Sequence, residues 1–431
     1  MTKREIDKLG ERIGAAPEVA SEDLEQLQAY RQTFQVPLAR VFSFVLASAR
    51  KLDRQCIVTY RIKRIDTIIG KLRRFQDNEN GKMHLSRMWD IAGCRCILNI
   101  PDNDKLYQLK DLILKEFGED SKVNDYVATP RASGYRSIHI YVKDKETQTP
   151  IEIQIRNHVQ HNWATLVEIT DVLYESKNKE QGLKGPLGSF LSLFSRADEL
   201  SEEEFSQMLA MERKMKVFEK MSKVLTRNNL NIRRQWLSQN RRGCYYVITA
   251  NKKKSEIVTY STFKDAEKAY YEKYLANSDS NIVLTHIMNA DFDQISMAYS
   301  NYVLAMHAFF DDYRALLADR IIESLKNERY RHFFQYFRVY NSDVRGHIGN
   351  MSMEMKSISA CYNDPGLSRS QINNWVREIQ TRTVRWQREV ADFLKRLSFV
   401  SHGDRFKRWV ISNRVKRLKK AVSEGLKYSS V

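Results

Sequence analysis

Pro150-Ile151-Glu152-Ile153-Gln154-Ile155-Arg156 alternates without a break, placing three isoleucines on one parity and a carboxylate, an amide and a guanidinium on the other. In a β-strand that pattern buries one face and presents Glu152, Gln154 and Arg156 in a row on the other, a floor suited to a polyphosphate. Upstream, residues 124–139 form a Gly/Pro-punctuated loop carrying Tyr135, Arg131, Arg136 and His139 into a second candidate strand, Ile138-Val142. Loop and strand together outline an acceptor pocket beside a metal site.

Working outward, Asp90-Ile91-Ala92-Gly93-Cys94-Arg95-Cys96-Ile97-Leu98 reads as a buried strand opened by an acid, followed by a helix from Lys105 to Phe117. A further helix runs through Trp163 and Glu168, so the region is α/β. Two carboxylates on neighbouring strands, Asp90 and Glu152, suit Mg²⁺, which takes oxygen ligands from one or two carboxylates and completes its shell with phosphate and water. Strict parity sets Asp90 with Cys94 rather than with Arg95. Pocket-facing roles for both Asp90 and Arg95 therefore require a kink, for which Gly93 is the candidate. The plainer alternatives are a turn residue at Asp90 and an exposed acid paired with Arg156 at Glu152.

Residues 22–75 carry apolar side chains at helical steps, ending in Ile62, Ile65, Ile69 and Leu72. A helix there leaves Arg61, Lys63, Arg64 and Lys71 on its polar side within about two turns. Past residue 200, Cys244-Thr249 and Glu256-Tyr260 around Asn251-Lys252-Lys253-Lys254 read as a β-hairpin. With helices near 263–275 and 292–304 and a strand at Ile282-Leu284, they make a small α+β unit with no evident chemistry. Beyond Phe310 the pattern is helical, with apolar stripes through Phe333, Phe337, Trp375, Trp386 and Phe393. The expected division is N-terminal helices (1–50), an α/β domain (51–200), the α+β unit (201–310) and a basic helical region (311–431). Near the end, Phe406 and Trp409 interleave with basic residues, a pattern that suits RNA. The favoured reading there is a solvated helix face whose aromatic residues dock on the body.

Bulk properties limit the partners. The 431 residues are 42% hydrophobic with 7 prolines and 16 glycines, enough for real cores, and the net charge of +18 favours polyanions: nucleotides, RNA, the ribosome or an acidic membrane surface. Five cysteines without a CxxC pair argue for a reducing compartment and against structural zinc. No apolar leader or membrane span is present in the sequence, so a soluble, cytoplasmic, unprocessed protein is expected.

Taken in order, Arg61-x-Lys63, Lys71, Asp90-Ile-Ala-Gly-x-Arg95, Asp125-Tyr126, Pro130-Arg131, Gly134-Tyr135-Arg136-Ser137-x-His139 and Glu152-x-Gln154-x-Arg156 resemble the motifs of RelA/SpoT-type synthetases, over about residues 35–200. Among these the chain resembles the small members with a single synthetase domain. The resemblance implies a nucleotidyltransferase-like α/β (α+β) fold and Mg²⁺-dependent transfer of pyrophosphate from ATP to the 3′ hydroxyl of GDP or GTP, giving the alarmones ppGpp and pppGpp. It further implies that Arg61, Lys63, Lys71 and Arg95 clamp ATP and that Asp90 and Glu152 hold the metal, with Glu152 orienting or receiving the acceptor proton. Tyr135 would stack on the acceptor base, with Arg131, Arg136, His139 and Gln154 around the acceptor.

Some positions depart from the commonest pattern: Asn124 and Ser133 replace a lysine and an asparagine, Arg131 a lysine, Arg64 a serine and Ile169 a histidine. None of the nine histidines is followed by Asp and about 50 residues precede the domain, so no hydrolase half is expected. Two other functions remain open: pyrophosphate transfer to the 3′ end of tRNA, as in toxin-like members, and a non-catalytic RNA- or ribosome-binding module. Homo-oligomer formation is left open, and no membrane partner is expected.

Overall fold

The computed structural model describes residues 1–75, 83–118, 121–174, 176, 182–239, 243–250, 255–276, 281–303, 309–364 and 366–426. The chain divides into two compact units, 1–182 with 239–304, and 183–238 with 305–431.

The first unit is built on one mixed sheet of order β3-β4-β5-β2-β1-β8-β6-β7. Its strands are β1 (Ile57–Ile62), β2 (Ala92–Leu98), β3 (Lys122–Asp125), β4 (Ile138–Lys143), β5 (Pro150–Asn157), β6 (Tyr245–Ala250), β7 (Ser255–Tyr260) and β8 (Asn281–Ile287). Only β2 and β5 run parallel among these pairs. The alternation read from the sequence decides which face is buried. Ile151, Ile153 and Ile155 join Ile138, Ile140, Val142, Cys94, Cys96, Val58 and Leu284 in a single core. That core also takes in α1 (Lys3–Ala15), α2 (Ser21–Gln32), α3 (Gln35–Leu52), α4 (Ile65–Arg74) and α5 (Asn103–Phe117).

Three expectations are corrected here. The basic cluster does not ride on one helix: Arg61 lies on β1, Lys63 in the following turn and Lys71 on α4. Ile57-Val58-Thr59-Tyr60 is a β-branched and aromatic run, which favours a strand over a helix. Nor does Gly93 kink β2, which keeps register with β5 from Gly93↔Glu152 to Leu98↔Asn157. Asp90 instead precedes the strand in a turn, so strand parity does not govern it. Finally, the small α+β unit is no separate body. Its hairpin forms as expected, but β8 pairs on one side with β6 and on the other with β1, through Arg61↔Thr285. A lone hairpin is marginal in water, and the open edge of β1 supplies the missing partner. The units divide at 182/183, 238/239 and 304/305, and the Asn251–Lys254 turn lies outside the described residues.

The second unit is helical throughout its described residues: α7 (Gly185–Phe194), α8 (Glu202–Met215), α9 (Val217–Ser238), α13 (Phe309–Lys326), α14 (Tyr330–Cys361), α15 (Arg369–Val400) and α16 (Arg405–Leu426). The remaining helices, α6 (His158–Tyr174), α10 (Phe263–Ala276), α11 (Phe292–Ala298) and α12 (Ser300–Val303), belong to the first unit. The apolar stripes pack as expected, Phe337 and Tyr340 against Phe393 and Trp375 among Ile358, Ile372 and Ile379. On α16, Val410, Ile411 and Leu418 are the buried side chains. Phe406, 54% exposed, sets its ring against Tyr330 of α14 at 5.2 Å, as expected, and Trp409, 71% exposed, stacks on Phe406 at 5.9 Å instead of being buried against the body.

Candidate active site

The sheet's other face is polar and continuous, because register aligns like parities across strands. Tyr141 lies opposite Glu152, His139 opposite Gln154, Gly93 opposite both Glu152 and Arg61, and Arg95 opposite Thr59 and Gln154. Gly93 is required by close approach: a Cβ there would stand 3.0 Å from the Glu152 carbonyl oxygen.

One end of this face holds a three-charge cluster. The Lys63 Nζ donates to Asp90 Oδ2 at 2.7 Å, and the Lys71 Nζ lies 3.0 Å from Oδ1 and 3.1 Å from Oδ2. Burial raises the Asp90 carboxyl, but the two ammonium groups more than offset it, and the group is held below its ordinary value. Burial, with Lys71 and Arg61 close by, pushes Lys63 down in spite of Asp90. The cluster therefore carries a surplus of cation that an incoming phosphate would relieve.

Beside it runs a chain of hydrogen bonds. Arg156 donates to the Tyr135 hydroxyl, Tyr135 Oη lies 2.7 Å from His139 Nε2, and His139 Nδ1 lies 2.9 Å from Glu152 Oε1. Gln154 donates to Glu152 Oε2 at 3.1 Å and accepts from Arg156 at 3.3 Å, closing the ring along β5. A neutral His139 protonated at Nδ1 satisfies every link, since Nε2 then accepts from tyrosine while Nδ1–H donates to the carboxylate. Tyr141 lies opposite Glu152, and burial together with that carboxylate pushes its phenol up. Burial works to raise the Glu152 carboxyl, yet the hydrogen bonds from His139 and the Gln154 amide hold it below the ordinary value. The charge of Asp90 reaches it too, so both acids face one site.

Arg61 and Arg95 lie on the sheet floor. Burial and the neighbouring guanidiniums of Arg156 and Arg61 depress Arg95, which donates to the Ala298 carbonyl at 3.2 Å. Glu168 of α6, with Glu152, Tyr299 and Tyr302, surrounds Arg61. In the loop before β4, Arg131 packs over the Tyr126 ring at 4.3 Å and the Tyr135 ring at 5.5 Å and donates to the Tyr126 hydroxyl.

Of the residues expected from the sequence, Glu152, Gln154, His139, Tyr135 and Arg131 form one connected group, and Asp90, Lys63 and Lys71 a second within electrostatic reach. Arg61 and Arg95 lie on the same face, whereas Arg136 is outside the chain of bonds described. Glu152 is not an exposed acid paired with Arg156: its side chain is 13% exposed and His139 is its partner. Arg156, Tyr141, Tyr126 and Glu168 were not singled out as site residues, although parity with Glu152 pointed to Arg156. Among the described residues no three His, Cys, Asp or Glu side chains converge as a metal cage. Two carboxylates facing one phosphate-seeking cluster do fit a hard cation that fills its shell from substrate oxygens and water.

Residues 60–179, which contain every expected site residue, match the model for the region found in RelA / SpoT proteins. The GTP pyrophosphokinase YjbM of Bacillus subtilis is 31% identical over 149 residues, 33% of this chain and 68% of YjbM. YwaC, a GTP pyrophosphokinase of the same organism, is 32% identical over 115 residues, 25% of this chain and 53% of YwaC. The chain thus spans about half the length of one curated relative and two thirds of the other. Among solved structures, small alarmone synthetase 1 from Bacillus subtilis bound to its product pppGpp aligns over 42% of this chain and 96% of its own, with 26% identity and a TM-score of 0.31. A GTP pyrophosphokinase family protein from Streptococcus pneumoniae aligns over 47% and 98%, with 22% identity and a TM-score of 0.32. On the strength of the 60–179 match and the likeness to YjbM, the chain belongs to the RelA/SpoT family.

Proposed function

We propose that the protein transfers the terminal pyrophosphate of ATP to the 3′ hydroxyl of GDP or GTP, with Mg²⁺ held by Asp90 and Glu152. The observation that carries this reading is the half-buried Glu152 carboxylate, ionised and aimed by His139 and Gln154 beside the Lys63–Asp90–Lys71 cluster. Its relatives YjbM and YwaC, both GTP pyrophosphokinases, support the same class of chemistry.

Lys63, Lys71, Arg61 and Arg95 bind the donor's phosphates, the lysines as point charges and the arginines as planar forks. The acceptor's 3′ oxygen bonds to the β-phosphorus, the bond from that phosphorus to the α,β-bridging oxygen breaks, and AMP leaves with the electron pair. Glu152 receives the proton of the attacking hydroxyl. Bound Mg²⁺ supplies neutralisation of the charge that develops on the phosphoryl oxygens. Tyr135, Arg131, Arg156 and Gln154 line the acceptor side, where guanidiniums and the tyrosine rings suit an anionic nucleotide.

The test is purified protein with ATP labelled in its β and γ phosphates, Mg²⁺, and GDP, GTP or bulk tRNA in parallel, with Glu152→Gln as control. Label on guanine nucleotide, absent in the control, supports the reading. Label on tRNA alone replaces the acceptor with the 3′ end of tRNA. No transfer at all, from protein that binds both nucleotides, refutes the enzymatic reading and returns the binding-module alternative.

A further inference from the structure

The family region ends at residue 179, yet residues 243–303 reach the donor side of the site at several independent points. On α10, Glu267 Oε1 accepts from Arg31 NH1 at 2.8 Å and from Gln28 Nε2 at 2.6 Å, and both Arg31 and Glu267 are sealed from solvent. The same Arg31 donates through Nε to the Lys63 carbonyl at 2.9 Å. One turn along α10, the Tyr270 hydroxyl accepts the Ile65 backbone N–H at 3.0 Å, and its ring carries the Arg31 guanidinium at 4.7 Å. The turn holding Lys63 and Arg64 is thus gripped at one end by Arg31 of α2, itself held by Glu267, and at the other by Tyr270 of α10.

A second grip comes from the α11–α12 segment. The carbonyl of Ala298, the last residue of α11, takes the Arg95 guanidinium, and helix C-termini favour a cation there. Next to it, Tyr299 is buried on the polar face of the sheet. Its hydroxyl bonds Thr285 on β8 at 2.5 Å and Thr59 on β1 at 3.2 Å, pegging this segment to the strand that carries Arg61. Tyr302 follows, with the Arg64 guanidinium 5.9 Å over its ring.

We propose that α10 and the α11–α12 segment are the outer wall of the ATP subsite, with Glu267, Tyr270 and Tyr299 acting as positioning residues for Lys63, Arg61 and Arg95. The inference deepens the donor half of the proposed function and rests on that reading. It assigns a positioning contribution to a segment in which the sequence offers no evident catalytic motif, and it predicts an effect on the donor with none on the acceptor. Donor cations held in place spare the ordering cost that flexible side chains meet on binding.

The test is calorimetric titration of the full-length protein, with Mg²⁺ present, using non-hydrolysable α,β-methylene ATP and, separately, GDP. Tyr270→Phe and Tyr299→Phe each delete one hydroxyl and keep the ring, and Tyr271→Phe on α10 is the control. Each hydroxyl variant is expected to raise the Kd for the ATP analogue about three- to tenfold, with GDP affinity and the control unchanged; both variants stay folded, with a melting temperature lowered by a few degrees because buried hydrogen bonds are lost. Where transfer is measurable, KM for ATP rises by the same factor while KM for the acceptor stays put. Unchanged analogue affinity in both folded variants, an equal loss for GDP, or a wild-type protein that binds no ATP analogue overturns the proposal. Absence of transfer with analogue binding intact and weakened by the variants strikes only the proposed reaction.

Discussion

Glu152→Gln separates catalysis from folding because the carboxylate's partners can be re-satisfied while its charge cannot. Glu152 accepts from His139 and Gln154. With glutamine, His139 can move its proton to Nε2, accept the new amide N–H at Nδ1 and donate to Tyr135, so the chain reverses rather than breaks. The expected loss of stability is that of exchanging one charge-assisted bond for a neutral one, about 1–2 kcal/mol. In the proposed reaction the chemical step loses its proton acceptor and one of the two carboxylates assigned to Mg²⁺. General-base removal alone costs about 10²–10⁴ in rate, so kcat should fall roughly 10³-fold, about 4 kcal/mol of barrier. Anion-exchange separation of labelled products gives the rate, and a urea melt on the same preparation gives stability. A variant that keeps kcat within tenfold of the parent refutes the assignment of Glu152. A variant that no longer folds refutes the reversible chain.

Further outcomes follow from single contacts. Gly93→Ala forces a Cβ to 3.0 Å from the Glu152 carbonyl oxygen, so strand separation should cost about 1–3 kcal/mol in a denaturant melt and lower kcat about tenfold by displacing the carboxylate. Because the Glu152 carboxyl is held below 4.5, kcat/KM should show no acid limb from this group above about that pH; an acid limb near pH 6 that disappears in Glu152→Gln would contradict it. The bond from Arg40 lowers the Asp144 carboxyl to about 2, beyond the opposing effect of burial, and Thr147 adds to it. A depressed native value stabilises the fold fully above the unfolded value near 4 and is lost as pH falls towards 2. Asp144→Asn should therefore lower the melting temperature at pH 7, by an amount worth about 1 kcal/mol given the partial exposure of Arg40, and by progressively less between about pH 4 and 2. Trp375→Ala removes a buried indole from a cluster with Ile358 and Ile379 and from its bond to Glu354, and should cost about 3–5 kcal/mol by denaturant titration.

The central strand and its two faces were legible because β5 alternates strictly, and the same parity placed Glu152 and Gln154 together. Helices α5, α6 and α10 and the 245–260 hairpin were legible from local periodicity and turn residues. Strand β1 was not, since Ile62, Ile65, Ile69 and Leu72 continue a helical spacing across the turn that ends it. Asp90 was placed on a strand because a two-residue turn before Ala92 leaves no mark in an apolar run. The union of β8 with β1 pairs residues more than two hundred positions apart, as in the Thr285 bond to the Tyr60 carbonyl, and no window of sequence records it. Nor can a sequence announce that Ala298 serves the site, because the group it offers is a backbone carbonyl that every residue carries. His139 could be listed as a candidate, but its position between Tyr135 and Glu152 depends on β4 pairing with β5 in one register.

The seam between β1 and β8 also sets the order in which this protein can be made. While the chain emerges, β1 acquires β2 within about 40 residues, but its other edge has no partner until Asn281–Ile287 is synthesised. Throughout that interval Ile57–Ile62 is an unprotected strand edge able to recruit another nascent chain. Residues 183–238, which belong to the other unit, are produced in the meantime. Such non-local closure is slow to form and leaves the partly made protein prone to association. A fragment ending near residue 200 would keep every reactive side chain described above and carry that edge permanently. Beyond losing the donor-side contacts it should aggregate, and supplying residues 239–304 as a separate polypeptide should restore solubility by adding the missing strand.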